Sequence, residues 1–129
     1  MHISRKITAI AATAVFCGTF AVAHAGTASA ASSCWDAHFT RTDPSGHTRE
    51  AYYCYNVPGT AVYTDWNPKY GVVGYLTTGT NWFLTRCDYG ATVGGPHPTR
   101  WEYTEADNGN WGWVRDIDII SETNSLPSC

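Results

Sequence analysis

Between residues 34 and 119, apolar and polar positions alternate in short runs, broken by turn residues at roughly eight- to twelve-residue spacing. That rhythm predicts an all-β chain of short strands. The first two runs, 34–42 and 47–54, are joined by Asp43-Pro44-Ser45-Gly46, which has Pro at the second and Gly at the fourth position of a β-turn. In the first run Trp35, Ala37 and Phe39 fall on one face and Asp36, His38 and Thr40 on the other. In the second, Ala51, Tyr53 and Tyr55 share a face. Pro58-Gly59 breaks the chain. Strands are then expected at 61–64, 72–76 and 80–87, the last with Trp82 and Leu84 on one side. Residues 88–98 are rich in Gly and Pro and read as irregular. Residues 100–104 and 111–115 form a closing hairpin, with the turn signal Asn108-Gly109 in its connection. Residues 116–119 then read as a short turn or 3₁₀ piece before a final strand. No helix of useful length is indicated.

The N-terminus has a different pattern. Arg5 and Lys6 precede a small apolar run that ends at Ala23-His24-Ala25, the signature of a signal peptide over residues 1–25. A second site, Ala28-Ser29-Ala30, allows cleavage after residue 30. Residues 26–33 are then a small-residue, flexible N-terminal arm. Export predicts an extracellular protein with one modest core. The domain plan is a hairpin extension over 34–55, then a barrel-like unit with a C-terminal tail over 56–129.

Cysteine usage fits export. Cys17 lies in the leader, and Cys34, Cys54, Cys87 and Cys129 remain, enough for two disulfides with three possible connectivities. Folding the first hairpin at Asp43–Gly46 sets Trp35 nearly opposite Cys54, which favours Cys34–Cys54. That leaves Cys87–Cys129, which would pin the tail back onto the fold.

Charge narrows the partners. The leader removes two of eight basic residues and none of the eleven acidic ones, leaving a net charge near −5. With no basic run, neither nucleic acid nor an anionic membrane surface is an expected partner. The catalytic inventory is thin. All four mature cysteines can pair, and the serines (Ser32, Ser33, Ser45, Ser121, Ser125, Ser128) lie near termini or in a turn, with no G-x-S-x-G. His38 and His47 could approach across the first hairpin, but His97 is remote and no zinc set results. Asp107-Asn108-Gly109-Asn110 lacks the frame of a calcium loop and reads as a polar hairpin tip. Glu102 and Glu105 have opposite strand parity, so they read as solvated surface rather than as an acid–base pair. No enzyme, cofactor or metal is expected.

Several elements resemble one family. Val62-Tyr63-Thr64, the run from Tyr70 through Gly71-Val72-Val73-Gly74-Tyr75-Leu76 to Thr80, the isolated Trp101 and the ending Gly112-Trp113-Val114-Arg115-Asp116 are similar to the bacterial SH3-like (SH3b) domains, especially small exported actinobacterial ones. The likeness covers about residues 56–120. It implies a small SH3-like β-barrel, here carrying an N-terminal disulfide-stapled β-hairpin that the family pattern lacks. The first loop also departs from the pattern, reading Tyr63-Thr64-Asp65-Trp66-Asn67. The resemblance implies a non-catalytic binding module for cell-wall peptides, or for peptide segments of another secreted protein. The alternative is an adaptor subunit of a secreted, antibacterial toxin-like assembly, or an inhibitor of a secreted protease, with the N-terminal arm threading into a partner.

All six Trp and eight Tyr lie outside the leader, more than a small core needs. Trp82, Trp101 and Trp113 sit in strands and fit core or semi-core places. Trp66 sits in a loop, where burial is hard to arrange and contact with a ligand is easier. Carried over by position from the resemblance, a ligand groove would use Tyr63, Asp65, Trp66, Tyr70, Trp101 and Trp111. Asp65 and Asp107 could meet an amino group of a peptide.

Overall fold

The structure, a computed structural model, describes residues 31–129. The expected signal peptide, its two expected cleavage sites and residues 26–30 of the expected arm lie outside the described residues. Residues 31–129 form one compact all-β unit. Its strands are β1 (Trp35–Thr42), β2 (Thr48–Tyr55), β3 (Thr60–Tyr63), β4 (Val72–Leu76), β5 (Thr80–Phe83), β6 (Thr85–Cys87), β7 (Trp101–Glu105) and β8 (Trp111–Arg115). Three-residue 3₁₀ turns occupy Pro68–Tyr70, Asp116–Asp118 and Thr123–Ser125.

Two sheets result, in the orders β1-β2-β5 and β4-β3-β8-β7-β6, and neither closes into a barrel. The expected strand 80–87 is bent at Leu84 and serves both. Its first half pairs with β2 and its second with β7. The bend is held by Leu84 N donating to Tyr103 O (2.9 Å) and Thr104 Oγ1 donating to Trp82 O (2.6 Å). A strand that turns a corner in this way lets two sheets share one core.

That core lies between the sheets. Val62, Leu76, Phe83, Val114, Ile119 and Leu126 meet there with the Cys34–Cys54 disulfide. Alternation along β8 buries Gly112 and Val114 and leaves Trp111, Trp113 and Arg115 on the far side. At Gly112 the backbone of β3 passes so close that a Cβ would collide with Tyr63 O and come within 2.9 Å of Val62 Cγ1. Only glycine fits the crossing.

Both disulfides form as expected, Cys34–Cys54 and Cys87–Cys129. They are the mark of an oxidising compartment, and among the described residues no helix is long and apolar enough to cross a membrane. The first hairpin also forms, with Trp35 opposite Tyr53. It does not stand apart from the rest, because β2 pairs along the edge of β5.

Three local expectations need correction. The alternation of the first run is interrupted by a bulge between Asp36 and Thr40, where His38 takes φ +62° and its N–H bonds Asp36 Oδ1 at 2.7 Å. No final strand follows residues 116–119. The tail makes the Thr123–Ser125 turn and a single bridge to β6, with Arg86 N donating to Pro127 O (2.9 Å) and Cys129 N to Arg86 O (2.8 Å). The described end of the arm is occupied within the chain, since Ser33 bridges Glu122 in parallel and Cys34 N donates to Glu122 O (3.0 Å).

Candidate binding face

Strand parity decides what the faces turned away from the core present. On the five-stranded sheet Tyr103 lies directly opposite Trp113, and Trp111 follows two residues before Trp113 on the same side. On the three-stranded sheet Tyr53 lies opposite both Trp35 and Trp82. Because the bent strand joins the sheets, the two aromatic sets become one. Nine rings follow one another in the order Tyr55, Trp35, Tyr53, Phe39, Trp82, Trp111, Tyr103, Trp113, Trp66, with successive centroids 4.7 to 6.3 Å apart. Most of the pairs are tilted or edge-to-face, the favoured aromatic geometries. All nine rings are half-buried or exposed, Trp35 at 39% and Tyr55 at 48%.

At the Trp66 end the row runs into a cleft of about 350 Å³. Tyr103, Trp113 and Trp66 form its aromatic side, the Cys87–Cys129 disulfide and Thr85 one border, and the β1–β2 turn with Arg49 the other. Asp43 organises that turn. Its Oδ1 accepts from Ser45 N (3.0 Å), Ser45 Oγ (2.6 Å) and His47 N (3.0 Å), and these bonds, the Ser45 hydroxyl foremost, hold its pKa low. Ser45 Oγ also lies 3.1 Å from His47 Nδ1. This is no hydrolytic triad, because the carboxylate engages the serine and leaves the histidine unoriented. Burial raises the pKa of the Tyr103 hydroxyl, Asp43 raises it further, and Arg49 opposes the shift.

The six residues expected to line a groove divide. Trp111 and Trp66 belong to the row. Trp66 stacks edge-on against Trp113 at 5.3 Å, and its Nε1 is buried without a hydrogen-bond partner among the described residues. Tyr63 is half-buried, edge-on against Trp101 at 5.6 Å with the Arg115 guanidinium 5.8 Å from its ring. Trp101 has the right parity for the face but is 0% exposed, so no ligand can touch it. The loop 88–99 roofs it: its Nε1 donates to Ala91 O (3.1 Å), and Gly90 lies against its ring so closely that a Cβ there would collide with it. Tyr70 is 56% exposed, outside the row, with Lys69 Nζ 5.1 Å from its ring.

The two acidic candidates serve local backbone. Asp65 Oδ1 accepts from Trp66 N (2.7 Å). Asp107 Oδ2 accepts from Thr77 Oγ1 (2.6 Å) and Thr77 N (2.9 Å), which lowers its pKa. Trp82 and Trp113, whose strand positions fit core or semi-core places, stand half-buried on the outer face. The signal that could have found them is shared parity: Trp111 and Trp113 are two apart in one strand, as are Tyr53 and Tyr55 in another.

Glu102 overturns its expectation of a solvated surface. Its side chain is 0% exposed, and neither carboxylate oxygen has a hydrogen-bond donor. Burial first, and then the neighbouring Asp116, push its pKa well above the ordinary carboxylate value. The nearby Arg100 guanidinium is committed elsewhere, to Asp88 (2.6 Å), Thr123 (3.0 Å) and Asn124 (2.9 Å). His38 sits in the bulge and His47 at the turn, so they are not cross-strand partners. Among the described residues no three His, Cys, Asp or Glu side chains converge to hold a metal.

The fold and face together define an all-β, two-disulfide protein with a continuous aromatic surface. No protein-family model, curated protein or solved structure matches the chain.

Proposed function

We propose that this protein is an exported, non-catalytic binding module that holds an extended peptide along its aromatic outer face, and that residues 56–120 are a variant of the SH3-like pattern in which the sheets stay open. One observation carries the reading. The nine-ring row crosses both sheets with every ring partly uncovered, although a small core would gain more by burying them. Contiguous exposed aromatic surface marks interaction sites, and Trp and Tyr dominate binding energy where they occur. Rings spaced along a shallow groove suit an extended or polyproline-like chain, whose own ordering cost is small. Stem peptides of a cell wall and extended segments of other extracellular proteins are the two sources of such a ligand.

A second reading, an adaptor within an extracellular assembly, draws on a different surface. Ile117 and Ile120 are 46% and 55% exposed beside the 3₁₀ turn Asp116–Asp118, and would suit a protein partner. Trp111→Ala separates the two readings. Trp111 touches Trp82 and Tyr103 in the middle of the row. Its truncation should weaken binding to insoluble cell wall or to captured peptides by about 2 kcal/mol, roughly thirtyfold. A folded Trp111→Ala protein that binds as well as the parent overturns the aromatic-face reading.

A further inference from the structure

The β1–β2 hairpin places Arg41 directly opposite Arg49. Like charges at directly opposed positions of an antiparallel pair repel, and a hairpin built for stability alone would set an acid against one of them. Both arginines lie on the aromatic side. The Arg41 guanidinium stands 4.8 Å from the centre of the Trp82 ring and 5.7 Å from that of Phe39. Arg49 borders the cleft beside Tyr103 and Trp113. Among the described residues Arg86, Arg100 and Arg115 each pair with an aspartate, while Arg41 and Arg49 make no ion pair. The other charged or titratable groups on that border are His47 and Asp43, and the Asp43 carboxylate is engaged by Ser45 and the His47 N–H. In a chain that carries more acid than base, two adjacent unpaired arginines on the ligand-facing side call for an anion.

We propose that Arg41 and Arg49 are the anion-recognising border of the aromatic groove and together take an aspartate or glutamate carboxylate of the bound peptide. The proposal rests on the extended-peptide reading above. A guanidinium held over an indole still has N–H donors to offer a carboxylate in fork geometry, which an ammonium cannot match. The Trp82 ring that supports Arg41 is also a member of the row. An acidic side chain bound here would therefore be followed by residues lying over Trp111, Tyr103 and Trp113, and the arginine pair would set the register of the peptide.

The test is selection of a random heptapeptide phage library on the immobilised, disulfide-bonded protein. The expected outcome is enrichment of sequences in which Asp or Glu neighbours proline or apolar residues. A synthetic peptide from that pool should bind the double variant Arg41→Gln/Arg49→Gln about tenfold more weakly, and with a shallower salt dependence. Enriched peptides with no acidic preference, or acidic peptides indifferent to the double substitution, overturn the arginine assignment and leave the groove reading in place. No enrichment, or peptides whose binding survives Trp111→Ala, overturns the groove reading and this inference with it. Loss of fold is distinguished by thermal melting. Should the double variant melt early, Arg41→Lys/Arg49→Lys keeps both charges and removes the fork, and an affinity equal to the parent's then counts against the proposal.

Discussion

Glu102 makes the fold sensitive to alkali, and its replacement by Gln should remove that sensitivity. The side chain is fully buried in β7 and its oxygens have no donor, while Asp116, itself 5% exposed, stands beside it. The carboxyl is therefore protonated in the folded protein at pH values where an unfolded chain has already lost the proton. Between the unfolded value, about 4.3, and the raised folded value, the native state holds more protons than the unfolded state. Stability contributed by this group is complete below the unfolded pKa, falls as pH rises, and levels off above the folded pKa. Within that window the loss is about 1.4 kcal/mol for each pH unit, against a total of roughly 5–15 kcal/mol for a small domain. Glu102→Gln keeps the shape and can donate its amide to Asp116 without titrating. Urea unfolding of parent and variant at pH 5, 6, 7 and 8 measures the effect. The parent's midpoint should fall relative to the variant's as pH rises from 5, and the difference should stop growing once the raised folded pKa of Glu102 is passed. The carboxylates of Asp43, Asp88, Asp107 and Glu122 have lowered pKa values. Their stabilisation is lost only as pH falls through those values, on the acid side of this range. A constant difference between parent and variant from pH 5 to 8 would refute the argument.

Two further outcomes test the frame that carries the face. Gly112→Ala forces a Cβ against the Tyr63 carbonyl and Val62; it should cost about 1–3 kcal/mol, read as a lower melting temperature. Replacing both Cys87 and Cys129 with Ala opens a crosslink that spans 42 residues, and on the chain-entropy account should cost about 4 kcal/mol in denaturant unfolding. A double variant as stable as the parent would mean that the tail is held by its bridge to β6 alone.

What the sequence made legible was mostly local. The Asp43–Gly46 turn specified the first hairpin, and the hairpin specified Cys34–Cys54, because a tight turn fixes register and register fixes which cysteines face each other. Strand β4 and strand β8 appear at the expected bounds. The bend at Leu84 was not legible. Residues 80–87 read as one unbroken run, and the corner exists only because Tyr103 O and Thr104 Oγ1 reach it from β7. The burial of Glu102 was hidden for a related reason. Parity placed Glu102 and Glu105 on opposite sides, but only the sheet order shows that the Glu102 side is the core.

The face illustrates the same limit at a larger scale, and it also gives the first hairpin a role. Spacing within a strand reveals that Trp111 pairs with Trp113 on one side and Tyr53 with Tyr55 on one side. It cannot reveal that the two sets adjoin, since that depends on β2 pairing with β5. Trp82 joins the two sets. It stands opposite Tyr53 in one sheet and touches Trp111 of the other. Without the hairpin, the row would stop at Trp82, and the cleft would lose its Asp43, His47 and Arg49 border. The hairpin that looked like an addition to an SH3-like unit therefore supplies Tyr55, Trp35, Tyr53 and Phe39 to the row and both unpaired arginines to its edge. On the reading proposed here, a ligand preference particular to this chain resides in that hairpin, and the strands after residue 56 supply the rest of the platform.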